Sequence, residues 1–458
     1  MSADQIDELL GIYQRLGLFN GSVLVADQGE VIIKKGYGLA NMEWEIPNSP
    51  DTKFRLGSIT KQFTATLILR LVEQGHIELD APVTRYLPGY PADTGNRVTI
   101  HQLLNHTSGI PGYTEIPAWR TRTREPLTHH QLVTVFSELD LLFEPGTRFS
   151  YSNSGYFLLG TIIERITGQA YEDRLRDSLL EPLGMNDTGY DSTEPLLSKR
   201  AAGYSQRIDG SYVNAPYLDM GQPYAAGSLY STVGDLYRWD QALYTDAVLS
   251  VPSRELMFTP GLEDYGYGWT IRSSDTGPTV EHGGGINGFN TLITRNPESK
   301  RLIILLNNTG GAPLAEMARS IRMLLDGDPP PSPRQPAAPR LLETYDAAGL
   351  GATLALAGVM QTGSVYEAGD DQLARLARQL LNTGAVKDGL ELADTLFQNT
   401  PTSANRAALL AQAYQANGHR IEAAQHYGLS IALSDTPRSF LVYTDAIRQL
   451  ATPEQEGE

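Results

Sequence analysis

Apolar and polar residues alternate over residues 21–26, Asp27-Gln28-Gly29 interrupts the pattern, and a second apolar run covers residues 31–35. Two such runs around a short glycine turn predict a β-hairpin. From Ser58 to about Gln74 the period changes. Ile59, Phe63, Leu67, Leu71 and Val72 recur at helical spacing and Gly75 stops the run, so a long helix is expected. Residues from about 80 to 260 mix short helices with many turns, and 156–166 is the clearest helical stretch. After Thr279 the strand pattern returns. Residues 280–282, 290–295 and 302–307 are apolar runs, separated by a glycine-rich turn and by Asn-Pro-Glu-Ser. Strands at both ends with helices between them predict one antiparallel sheet, flanked by helices and carrying a helical middle insertion.

A proline-rich stretch over residues 326–340 then breaks the pattern. Proline supplies no amide donor, so this reads as a semi-rigid linker. Beyond it the chain is rich in Ala, Leu and Gln, and repeats itself. Residues 372–384 align with 406–418 at an offset of 34, the period of tetratricopeptide helix pairs. Ala374 then matches Ala408, Leu376 matches Leu410, and Ala377 matches Ala411. The expected division is residues 1–325, a linker at 326–340, and an all-α helical-repeat domain at 341–458. Two or three helix pairs make a short solenoid, expected to pack on the first domain, with a protein partner as the other reading.

Composition narrows the function. The formal net charge is −17, which argues against nucleic acid and anionic lipid as partners. Cysteine is absent, which removes disulfides, thiolate nucleophiles and Cys-ligated metals. No run approaches the ~20 apolar residues of a membrane span. The N-terminal residues lack a positively charged segment followed by an apolar one, so they do not read as a signal peptide. The compartment stays open: periplasmic or secreted if a leader has been removed, otherwise cytoplasmic.

Three short motifs carry chemistry. Ser58-Ile-Thr-Lys61 opens the first long helix, and a spacing of three puts both side chains on one helix face. A lysine kept from water there can accept the serine proton, and the free amides of the helix N-terminus favour a developing oxyanion. Tyr151-Ser-Asn153 sits in a polar turn just before a helix. Its tyrosine can relay a proton, and its asparagine can both donate to and accept from a substrate amide. Glu281-His282-Gly283-Gly284-Gly285 ends a strand in glycines, where a substrate can lie against the backbone and a free amide can face an oxyanion. Histidine there offers a donor, or a charge when protonated, to a substrate carboxylate or to Tyr151. A second Tyr-x-Asn, Tyr212-Val-Asn214, and a second His-x-Gly, His426-Tyr-Gly428, lack partner motifs and read as decoys.

In this order the three motifs resemble those of the serine β-lactamase and penicillin-binding-protein superfamily, in particular its class C-like branch of carboxypeptidases, D-aminopeptidases and esterases. Leu104-Asn-His-Thr-Ser-Gly-Ile-Pro, Glu181-Pro-Leu-Gly-Met and Gly227-Ser-Leu-Tyr-Ser-Thr-Val-Gly-Asp-Leu add to the resemblance, which covers residues 15–325. It implies a β-lactamase/transpeptidase-like fold of α/β (α+β) class and no cofactor or metal. Ser58 would form an acyl-enzyme, Lys61 would accept its proton, and Tyr151 would share the relay. Asn153 would contact the acyl-side amide, with His282, Gly283 and Gly284 binding substrate. The amides of Ser58 and Gly285 would form the oxyanion hole.

His282 stands where class C β-lactamases have the lysine of Lys-Thr-Gly, a tripeptide absent from this chain. The expected substrates are therefore small esters, amides or D-peptides, with weak or no β-lactamase activity. The alternatives are a true class C-like β-lactamase and a non-catalytic binder that works through its helical repeats. An α/β-hydrolase is excluded because no Gly-x-Ser-x-Gly occurs. Without His-Glu-x-x-His a zinc hydrolase is a poor fit.

Overall fold

The computed structural model describes residues 3–274, 277–434 and 437–451. The first apolar pair forms strands β1 (Gly21–Asp27) and β2 (Glu30–Tyr37). Gln28 and Gly29 both take positive φ, 54° and 85°, the backbone that a two-residue hairpin turn requires. Strands β3 (Thr270–Arg272), β4 (Thr279–Ile286), β5 (Phe289–Asn296) and β6 (Arg301–Asn307) complete a six-stranded sheet. Its order is β3-β4-β5-β6-β1-β2. All neighbours are antiparallel, and β1 pairs with β6 from Gly21↔Asn307 to Ala26↔Leu302. The sheet is thus built from both ends of one domain. The glycines after His282 are a correction to the sequence reading. They form strand rather than turn, with Gly283, Gly284 and Gly285 opposite Leu292, Thr291 and Asn290.

Five helices frame this sheet: α1 (Ala3–Arg15), α2 (Thr60–Glu73), α3 (Asn153–Thr167), α4 (Val233–Ala242) and α5 (Leu314–Asp326). Residues of successive parity in β1 point to opposite faces. Val23 and Val25 join Leu10 and Tyr13 of α1 and Met317 and Ile321 of α5 in one core. Leu24 and Ala26 join α2, α3 and α4 in another. This two-sided burial explains why β1 reads as a nearly continuous apolar run. Helix α2 lies deepest, with every residue from Thr60 to Leu69 buried.

The chain divides into two compact units, one holding the residues up to Ser205 and Val213–Pro331, the other Gln206–Tyr212 and the chain from Ser332. In the second, Gln335–Pro336 pairs in parallel with Tyr366–Glu367. Its helices are α6 (Ala338–Thr362), α7 (Asp370–Asn382), α8 (Val386–Asn399), α9 (Ala404–Ala416), α10 (Arg420–Leu433) and α11 (Pro437–Ala451). The 34-residue repeat has a structural counterpart. Gly384 and Gly418 both turn the chain with positive φ, 87° and 77°, and the three aligned pairs of Ala and Leu are all buried. Among the described residues, no helix is long and apolar enough to cross a membrane.

Candidate active site

Ser58 is placed by its flanks. Phe54–Arg55 pairs with Leu229–Ser231, the Leu56 amide donates to the Leu229 carbonyl (2.7 Å), and Thr291 Oγ1 of β5 donates to the Leu56 carbonyl (2.8 Å). Gly57 then turns with φ 56°. A Cβ at Gly57 would lie 2.8 Å from the Gly285 amide nitrogen, and one at Gly284 would lie 1.9 Å from the Leu56 carbonyl. Glycine at both positions is therefore what lets β4 run against the start of α2. The approach brings the Gly285 backbone beside the segment that carries Ser58, while Gly285 itself faces open space.

Lys61 is fully buried one turn further on. Its Nζ lies 3.0 Å from Ser58 Oγ, 2.8 Å from Asn153 Oδ1 and 2.9 Å from the Ala226 carbonyl. Burial, unopposed by any carboxylate, holds its pKa well below the usual lysine value. Asn153 Oδ1 and the Ala226 carbonyl can only accept from Nζ, whereas the Ser58 hydroxyl can also donate to it when the amine is neutral. The Nζ also lies 4.7 Å from the centre of the Tyr151 ring.

Tyr151 approaches from the turn before α3. Its hydroxyl is buried without a hydrogen-bond partner among the described residues. Burial raises its pKa, and only the nearby Ser58 hydroxyl opposes that shift. The ring is caged by aromatics. His106 packs against it at 4.2 Å with the rings tilted by 38°, and Tyr265 and His282 flank it at 6.2 Å. His106, at φ 60°, accepts the Ser152 amide on Nδ1 (3.1 Å), so its proton sits on Nε2.

Asn153 bridges two elements. Its Oδ1 accepts from Lys61, and its Nδ2 donates to Thr114 Oγ1 (3.1 Å). With Ser58, Gly227, Gly285 and Asn287 it borders a cleft of about 140 Å³, walled on one side by Tyr113 and Trp119. No charged side chain among the described residues lines this cleft.

The structure therefore brings Ser58, Lys61, Tyr151, Asn153 and Gly285 together. His282, Gly283 and Gly284, like Lys61 and Tyr151, lie outside the residues that border this cleft. His282 Nε2 accepts from Tyr265 Oη (2.8 Å), and Nδ1 donates to its neighbour's carbonyl at Gly283 (2.6 Å). Burial, with Lys61 nearby, depresses its pKa to about 4, so at neutral pH it is an uncharged prop behind Tyr151. Tyr212–Asn214 forms a short strand in a hairpin with Tyr204–Gln206, and His426 lies on α10, bonded to the Glu422 carbonyl. Sequence reasoning missed His106, Ala226 and Tyr265. Of these only His106, inside the Asn-His-Thr-Ser-Gly segment, carried a local signal.

A family model described as Beta-lactamase matches residues 3–326. The chain belongs to the β-lactamase family. Within that family it is similar to penicillin-binding protein 4* of Bacillus subtilis (strain 168), 32% identical over 364 residues that span 74% of this chain and 80% of that protein. Among solved structures it resembles the octameric penicillin-binding protein homologue from Pyrococcus abyssi, at TM-score 0.64 and 31% identity over 72% of this chain and 78% of the other. The D-amino acid amidase of Ochrobactrum anthropi SV3, solved with L-phenylalanine amide, matches at TM-score 0.63 and 27% identity, over 71% and 98%. The fold and the reaction class, serine hydrolysis, follow from this membership.

Proposed function

We propose that the protein hydrolyses small esters and amides, D-amino-acid amides among them, whose scissile side bears no carboxylate. The observation that carries this is the uncharged cleft: no cation lines it, and His282, at the position of the expected carboxylate anchor, is neutral and turned to Tyr265. A carboxypeptidase or an efficient β-lactamase needs a cation for the substrate carboxylate. The likeness to a D-amino acid amidase supports the same substrate side.

Each residue then has a task. Neutral Lys61 takes the Ser58 proton as Oγ attacks the acyl carbon. The amides of Ser58 and Gly285 hold the oxyanion, helped by the start of α2. Tyr151, whose raised pKa keeps it protonated, gives its proton to the leaving group and recovers one from Lys61. Asn153 holds Lys61 and meets the acyl-side amide. Water then cleaves the Ser58 ester by the reverse relay.

A panel of short-chain esters, D-amino-acid amides, D-Ala-D-Ala peptides and nitrocefin tests this reading. Esters and amides are expected to turn over in a Ser58-dependent manner, at least ten times faster than the carboxylate-bearing substrates. Preferred cleavage of nitrocefin or of D-Ala-D-Ala peptides would establish the β-lactamase or carboxypeptidase alternative.

A further inference from the structure

The cleft wall opposite Gly285 comes from two loops, residues 110–127 and 215–225, and one side chain joins them. Gln222 is 1% exposed. Its Oε1 accepts the indole N–H of Trp119 (2.6 Å). Its Nε2 donates to the Arg122 carbonyl (2.8 Å) and to the Glu125 carbonyl (2.6 Å). Its own carbonyl accepts the Tyr113 hydroxyl (3.0 Å). The side-chain amide therefore uses its acceptor and both donors, and its orientation is set by partners that cannot exchange roles. Both aromatic residues that wall the cleft are held by this one residue, and they meet edge to face at 5.2 Å and 77°. Leu218 and Pro223, on either side of Gln222 in sequence, line the same cleft.

We infer that Gln222 is a positioning residue that fixes the Tyr113–Trp119 wall and makes the cleft select flat, single-ring acyl groups. This rests on the reading of the protein as an ester and amide hydrolase, with the cleft beside Ser58 taken to receive the acyl group as well. The cleft is open on one side and holds about 140 Å³, room for a single ring by comparison with an enclosed cavity of ~150 Å³ that takes up benzene. The wall chemistry matches as well. Rigid aromatic faces favour a ring by stacking or edge contact over an aliphatic group of similar size. A wall held by three short hydrogen bonds does not widen for a thicker one.

The test uses esters whose leaving group carries no ring: methyl phenylacetate, methyl cyclohexylacetate and methyl acetate, followed by pH-stat. The full chain is expected to prefer phenylacetate over cyclohexylacetate by at least about tenfold in kcat/KM. In Gln222→Met the three side-chain bonds are gone. The KM for phenylacetate is expected to rise, its kcat to change little, and the phenylacetate-to-cyclohexylacetate ratio to fall about tenfold. Trp119→Ala removes the wall directly and should cause the same loss of preference, which keeps the test open if Gln222→Met does not fold. Equal rates on phenylacetate and cyclohexylacetate in the unmodified protein would overturn the inference. So would a Gln222→Met variant that slows all three esters alike through kcat. Absence of any Ser58-dependent ester turnover would instead refute the hydrolase reading on which it rests.

Discussion

Replacing Tyr151 by phenylalanine should separate activity from stability, with opposite signs. The hydroxyl is buried and weakly served, with only the Ser58 hydroxyl beside it. A buried polar group left unsatisfied costs about 1–3 kcal/mol, so its removal stabilises the fold. The ring contacts with His106 and Lys61 survive in phenylalanine. Stability should rise by about 1 kcal/mol, which is roughly 2–4 °C in Tm for a domain of 150–250 residues and somewhat less for this larger one. Activity should move the other way. A positioned general acid contributes about 10²–10⁴-fold, equivalent to about 3–5 kcal/mol of barrier. Differential scanning calorimetry and ester turnover on the same preparation give both numbers. Undiminished turnover would remove Tyr151 from the relay. A Tm lowered by several degrees would show that its hydroxyl has a structural partner.

Other perturbations follow from the same geometry. Lys61→Met removes the proton acceptor and should lower kcat/KM by about 10³-fold or more, measurable against ester substrates. Because Lys61 must be neutral to accept a proton and burial depresses its pKa, kcat/KM should climb with pH through a pKa well below 10.5, seen in a pH–rate profile. His282 has a folded pKa of about 4 against 6.5 when unfolded. Its stabilising contribution is complete above pH 6.5 and lost as pH falls towards 4, roughly 3 kcal/mol in all. Denaturant titration from pH 7 to 4 should show this, and His282→Gln should flatten it. Gly284→Ala would drive a Cβ into the Leu56 carbonyl at 1.9 Å and should abolish turnover and lower Tm. Gly285→Ala, with open space around it, should fold normally but raise KM.

The sequence showed the elements better than their surroundings. The hairpin β1–β2 and the strands β5 and β6 announced themselves by apolar runs and turn residues, and the start of α2 by a helical period. The complete burial of α2 was not legible, because Thr60, Lys61, Gln62 and Thr64 are polar and break the apolar pattern. Each is matched by a group distant in the chain. The Leu229 amide donates to Thr60, Trp239 donates to Gln62, Thr64 donates to the Ala225 carbonyl, and Lys61 reaches Ala226. Gly283–Gly285 suggested a turn, since glycine weakens a strand. The reason they form one is the passage of Leu56 against them, a contact across more than two hundred residues. The motifs likewise named Ser58, Lys61, Tyr151 and Asn153. The neutral state of His282 was not legible, because it follows from burial, which leaves no mark near it in sequence. Gln222 gave no signal of its own, because its importance lies in four partners from one distant loop.

The proposed reaction requires the Ser58 hydroxyl to become acylated during turnover. Rapid acid quenching of the protein mixed with excess ester, followed by intact-mass and peptide mass spectrometry, tests it most directly. One acyl group per chain is expected on the peptide bearing Ser58, and neither adduct nor turnover in Ser58→Ala. Full turnover in Ser58→Ala, or an acyl group on a different residue, would contradict it.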